Sequence, residues 1–271
     1  MKKTIITLLA LAGVASADYI WQGGSGTITQ DDWKNKNNWN ITNNSTWKED
    51  GNGPLDCDGM YGVKTVINQS LTLSGFNLEG WQPLLQVTNN STLTSTFDKL
   101  QCNGASITVD AGSTFNMKVI GDYKDYEGNF YVNGTLNLDL DYDNAIPTTK
   151  FTLGDSASLS VSNSTTGGAV TLNANLLGDE AGFIYTRTLL TYNNASFTNV
   201  TYEFGEGWTN VGEGEITGAQ QYKITNNESG ISVSYMAVAP ASTPNVPEPT
   251  TATLSLLALA GLAARRRRAS R

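Results

Sequence analysis

Six stretches of this chain can be written one beneath another: VINQSLTL from Val66, VTNNSTLT from Val87, VDAGSTFNM from Val109, VNGTLNLDL from Val132, LGDSASLSV from Leu153 and LNANLLG from Leu172. Each is a strand end, a short polar turn and a second strand. Their first residues fall 21, 22, 23, 21 and 19 positions apart. A near-constant period of strand–turn–strand units is the signature of a repeat architecture. One unit carries an apolar row that it cannot bury alone, and stacking the units closes the core. Asn89-Asn90 and Asn133-Gly134 stand at the turns, where residues that tolerate φ > 0 suit a sharp corner. The pattern predicts an all-β chain: a right-handed parallel β-helix or related β-solenoid over residues 60–180. The alternative is an antiparallel β-sandwich, whose strands also recur every roughly 8–12 residues. The aligned corners favour the solenoid.

The flanks extend this picture. Residues 18–59 hold four of the six tryptophans, Trp21, Trp33, Trp39 and Trp47, and read as an N-terminal cap. Beyond Gly178 the runs FIYTRTLLTY, SFTNVTYEF, QYKITNN and ISVSYMAV predict longer strands over 181–236. Gln220 to Met236 reads as a hairpin around Asn226–Gly230. This region would cover the open edge of the last coil. Residues 237–245 are a Pro/Ala/Ser/Thr linker.

The two ends carry addresses. Lys2 and Lys3, an apolar run from Ile5 to Val14 and the small-x-small site Ala15-Ser16-Ala17 predict a signal peptide over 1–17, cut after Ala17. At the other end Thr250 to Ala264 is 15 uncharged residues, followed by Arg265, Arg266, Arg267 and Arg268. As a helix this stretch is about 22 Å long, against a hydrocarbon core of about 30 Å. It spans only with help from the arginine stems. Positive charge stays cytoplasmic, so the body would lie outside. Pro247 and Pro249 bracket Glu248 and hold the stretch before it extended.

Val246-Pro247-Glu248-Pro249, the short apolar segment and the arginine cluster together resemble the PEP-CTERM sorting signal of Gram-negative bacteria, over residues 246–271. The resemblance implies that an exosortase, a membrane-embedded transpeptidase-like enzyme, cuts near the Pro-Glu-Pro and passes the protein to the cell surface or matrix. An uncut C-terminal anchor is the plainer alternative. Trp21-Gln-Gly23-Gly24, Trp33 and Asn38-Trp39 resemble the W-x-G-G … N-W opening of autotransporter-associated β-strand repeats. That implies the start of a β-rich extracellular domain.

Composition narrows the chemistry. Of 17 basic residues, Lys2, Lys3, Arg265–Arg268 and Arg271 lie in the two processed segments. Ten remain against 25 acidic residues, a net charge near −15 for the body. Such a surface repels nucleic acid. The chain has no histidine, which removes Ser-His-Asp and Cys-His catalysis. Cys57 and Cys102 are expected to form one disulfide in an exported chain; two separate thiols are the alternative.

Two candidate sites follow. Asp139, Asp141 and Asp143 alternate along a predicted strand, which puts three carboxylates on one side about 7 Å apart. A structural Ca²⁺ ion would relieve their repulsion; a solvated acidic face is the plainer reading, and no other cofactor is expected. Trp33 and Trp39 beside Asn and Asp suit a glycan platform; the plainer reading is that they plug the end of the solenoid. Carboxylate pairs for glycoside hydrolysis cannot be read from spacing, and Arg187 is the sole arginine between the processed ends. No residue is assigned a catalytic role. The expectation is an exported, non-catalytic structural or adhesin-like protein, an inner-membrane intermediate before it reaches the surface. Its partners would be the general secretion machinery, signal peptidase, an exosortase-like enzyme and extracellular polysaccharide. A carbohydrate-binding module is the first alternative and a polysaccharide lyase or glycoside hydrolase the second.

Overall fold

The computed structural model describes residues 18–42, 54, 64–81, 83–101, 106–124, 128–140, 148–162, 168–178, 180–193 and 197–237. The chain opens with β1 (Asp18–Trp21), β2 (Gly26–Ile28), helix α1 (Gln30–Lys34) and β3 (Trp39–Ile41). The first repeats supply β4 (Lys64–Ile67), β5 (Leu71–Leu73), β6 (Leu78–Trp81), β7 (Leu84–Val87), β8 (Thr92–Gln101), β9 (Ser106–Val109) and β10 (Thr114–Lys124). The later ones supply β11 (Asn129–Val132), β12 (Thr135–Leu140), β13 (Thr148–Leu153), β14 (Ser158–Ser162), β15 (Gly168–Ala174), β16 (Ile184–Asn193) and β17 (Phe197–Glu203). The end is built from β18 (Thr209–Asn210), β19 (Gln221–Asn227) and β20 (Gly230–Met236).

These strands wind into a β-solenoid. Successive coils feed two sheets in turn. One sheet has nine strands in the order β3-β1-β4-β7-β9-β11-β13-β15-β17; the other has eleven, running β2-β5-β8-β10-β12-β14-β16-β20-β19-β18 with β6 on the far half of β8. Coil-to-coil pairing is parallel throughout. Among the described residues, antiparallel pairs occur only at the two ends, between β1 and β3, β16 and β20, and β19 and β20. The parallel stack begins at β1 and reaches β17, past both 60 and 180.

Alternation explains why this sequence makes a stack with one apolar interior and a polar outside. Parallel sheets covered on both faces read as continuous apolar runs. Here the strands alternate, and β7, β9 and β11 each show half-buried and buried residues in turn. The inner wall is made of columns in strict register. Ile67, Val87, Val109, Val132, Leu153 and Ala174 form one. Leu71, Leu93, Phe115, Leu136 and Leu159 face it from the second sheet. Every one of these is buried, and each full burial of a Val, Leu, Ile or Phe side chain among them stabilises by about 1.5–3 kcal/mol.

This register corrects the sequence alignment at both ends. Val66 is not on the wall: it lies opposite Gln86 and is half-buried, while Ile67 beside it takes the inner place. A slip of one residue turns a strand inside out. Leu172 does point inward, but in the neighbouring column opposite Phe151; Ala174 is the true successor of Leu153.

The corners stack as well. Thr88, Asp110, Asn133 and Gly154 each donate a backbone hydrogen bond to the wall residue one coil below, at 2.7–2.9 Å. Asn89 and Asn90 adopt φ of 60° and 54°, as their place in a sharp turn predicts. Asn133-Gly134 is different, since neither has positive φ. Gly134 is needed for space: a Cβ there would lie 2.3 Å from the carbonyl oxygens of both Asp110 and Ser113.

Aromatic plugs close both ends. At the start Trp21, Trp33 and Trp39 pack with ring centroids 4.9–6.3 Å apart. Their indole N–H groups donate to the carbonyls of Gly24, Pro54 and Trp33 respectively. Gly23 lacks room for a Cβ, which would lie 2.6 Å from the Trp21 ring and 2.9 Å from Asn38 Cγ. Helix α1, only five residues long, is held by a capping box between Thr29 and Asp32. At the other end Phe204 packs edge-on against Tyr222, and Trp208 against Tyr235. The hairpin β19–β20 turns at Glu228-Ser229, tighter than the five-residue turn expected, and lays Ile231, Val233 and Tyr235 over the last coil.

Candidate functional site

The outer face of the eleven-stranded sheet carries a shallow groove of about 270 Å³. Two polar rows line it, running along the stack from β8 through β10 and β12 to β14. One row is Thr94, Asn116, Asn137 and Ser160; the other is Thr96, Lys118, Asp139 and Ser162. These residues alternate with the inner columns, so strand periodicity sends them outward. Asn137 Nδ2 donates to Asn116 Oδ1 at 2.8 Å, and Asn116 Nδ2 to Thr94 Oγ1 at 3.1 Å. The amides thus form a ladder that stiffens the face. Lys118 Nζ lies 3.7 Å from Asp139 Oδ2, and Ser162 Oγ donates to Asp139 Oδ1 at 3.1 Å. Both members of the ion pair are exposed, so it contributes at most about 1 kcal/mol. The groove offers closely spaced donors and acceptors with almost no net charge, an arrangement that suits a neutral polyhydroxylated chain.

The residues singled out from sequence divide into three groups. Trp33 and Trp39 are 1% and 3% exposed. Neither ring is open to a sugar, so the glycan platform is corrected: the indoles pack against one another and against Tyr19 and Phe76 in the apolar interior at this end of the solenoid. Asp139 points outward, and its near partners are Lys118 and Ser162. Among the described residues no three His, Cys, Asp or Glu side chains gather as a metal site would need. Asp141, Asp143, Cys57, Cys102, Ala15, Ala17, Val246, Pro247, Glu248, Pro249 and Arg265–Arg268 lie outside the described residues.

Seven groove residues were missed by sequence reading: Thr94, Thr96, Asn116, Lys118, Asn137, Ser160 and Ser162. Their signal is a polar residue at a fixed step past each wall anchor. It is hidden because the Asn133-Gly134 corner is two residues shorter than its neighbours. Asn116 stands seven positions after Val109, and Asn137 only five after Val132.

Arg187 is the other unusual group. Its side chain is 12% exposed; Nη1 donates to the Asn175 carbonyl at 3.1 Å and lies 4.0 Å from Asp155 Oδ1. Burial pulls its pKa below the ordinary value, with Asp155 opposing that shift. It remains a cation under any physiological condition.

Among the described residues no helix is long and apolar enough to cross a membrane. No curated protein and no solved structure gives a significant match to this chain. The family model described as the PEP-CTERM protein-sorting motif matches residues 245–268. It covers the Val246–Pro249 signal, the apolar stretch and the arginines from Arg265 to Arg268. The chain therefore carries a PEP-CTERM protein-sorting motif over residues 245–268, and that motif implies export and membrane-associated sorting by exosortase-like machinery.

Proposed function

We propose that this chain is a non-catalytic structural or adhesin-like protein of the cell envelope or extracellular matrix. The observation that carries the reading is the pairing of a sorting motif with a solenoid plugged by aromatics at both ends. A stack of coils sealed in this way is a rigid rod, and its outward residues are free to vary without cost to the core. General secretion and signal peptidase deliver it, the exosortase-like enzyme removes or exchanges the apolar tail, and the body stays outside. Intact mass of the protein recovered from the cell surface tests this directly. The expected species begins at Asp18 and ends near Pro249; a full-length mass would overturn the processing scheme. A reducing-sugar assay on a polysaccharide panel checks the absence of catalysis, and sugar release would refute it.

A second reading has its own observation, the polar groove across β8, β10, β12 and β14. Its Asn, Thr and Ser side chains suit a neutral extracellular polysaccharide lying along the stack. Coils repeat at about 4.8 Å, near the length of one sugar unit, so one coil would meet one unit. A glycan array with the full chain, repeated with Asn116→Ala and Asn137→Ala together, separates the readings. Binding lost in that folded variant supports the module. A structural calcium ion near Asp139 is tested by thermal melting: a midpoint unmoved by millimolar Ca²⁺ removes it.

A further inference from the structure

Among the described residues, most large apolar side chains are buried. Among the described residues only Ile120, Leu177, Phe183 and Ile184 are large, apolar and exposed, and the last three are the most exposed, at 55%, 59% and 55%. They share one place. Tyr235 donates its hydroxyl to the Leu177 carbonyl at 2.7 Å, Ile184 lies opposite Met236, and the Ala237 N–H donates to the Phe183 carbonyl at 3.3 Å. The backbones that carry these three exposed side chains therefore lie beside the end of β20 at Met236 and Ala237. Only residues 238–249 separate that point from the apolar segment 250–264 of the sorting motif. Twelve residues reach at most about 40 Å when fully extended. While the tail is in the bilayer, this end of the solenoid is held close to the membrane surface.

We propose that Leu177, Phe183 and Ile184 dock the body on the outer surface of the bilayer while the chain is still tethered. This rests on the membrane insertion of residues 250–264. Leu, Phe and Ile are side chains that lipid interfaces accept, and scattered singly they would need no explanation, whereas a cluster marks a contact. Docking would hold the Val246–Pro249 segment slack beside the membrane, where a membrane-embedded enzyme can take it. Exposed Glu180 borders the patch and the body is strongly acidic. The preferred surface is thus zwitterionic, and anionic lipid opposes docking.

Hydrogen exchange measured by mass spectrometry on the full chain in phosphatidylcholine vesicles tests this. Deuterium uptake over residues 177–186 is expected to fall several-fold relative to Leu177→Ser/Phe183→Ser/Ile184→Ser in the same vesicles. These positions are exposed, and unchanged exchange in β9 to β13 verifies the fold. Replacing part of the lipid with phosphatidylglycerol, or inserting a long Gly/Ser segment between Ala241 and Ser242, should restore uptake in the unaltered patch. Equal uptake in wild type and variant overturns the proposal. Protection that ignores lipid charge and tether length overturns it too, in favour of the linker lying on the patch. Protection that tracks protein density on the vesicle overturns it in favour of a second copy. If the tail fails to insert, vesicle flotation shows that first, and the failure belongs to the sorting reading instead.

Discussion

Two neighbouring residues decide whether the register is right. Ile67 faces the interior opposite Val87 and is fully buried; Val66 faces out opposite Gln86. Ile67→Ala removes three methyl or methylene groups at about 0.8 kcal/mol each. The cavity left in a stack that relaxes only partly adds to this, for a total of about 3–4 kcal/mol. For a chain of this size each kcal/mol moves the melting midpoint by about 2–4 °C, so Ile67→Ala should lower it by about 10 °C. Val66→Ala removes a half-exposed group and should cost under about 1 kcal/mol. A lysine sharpens the contrast, since Val66→Lys keeps its charge in water while Ile67→Lys buries it unpaired. Circular-dichroism melts of the four variants make the comparison. A larger loss at Val66 than at Ile67 would refute the register and with it the inner wall.

Other consequences follow from the corners and the ends. Gly134→Ala forces a Cβ against two backbone carbonyls and should cost at least about 1–3 kcal/mol by denaturant titration. Trp33→Ala and Trp39→Ala should each cost about 3–5 kcal/mol and raise proteolysis of the first coil. Burial raises the pKa of Tyr202, Tyr222 and Tyr235 above the ordinary 10.0. Their folded-state neutrality therefore contributes stability that is intact below pH 10 and fades as pH rises through the shifted values. Alkaline titration should loosen the C-terminal end first, seen as rising hydrogen exchange in β19 and β20 before β9 and β11.

The period of about 21, the Asn corners and the apolar alternation favour a stacked β-rod over a sandwich, and the chain is a β-solenoid. Each is a local property: turn residues set the corner and side-chain alternation sets the wall. The sorting signal was equally plain, because Pro-Glu-Pro, apolar length and arginines act in linear order without a partner elsewhere in the chain. The hairpin and the tryptophan plug were legible for the same reason, as clusters close in sequence.

Register, the groove and the end patch were decided by the tertiary structure. KTVI alternates equally well either way, and only the opposing wall of β7 settles that Ile67, not Val66, turns inward. Asn116 and Asn137 meet because a short corner at Gly134 brings unequal spacings into line. Leu177 and Phe183 flank Ala237 only because β20 returns antiparallel along β16. A sequence encodes what one segment can hide and where it can turn; which segments become neighbours depends on contacts 20 to 60 residues apart, whose closure is set by the whole stack.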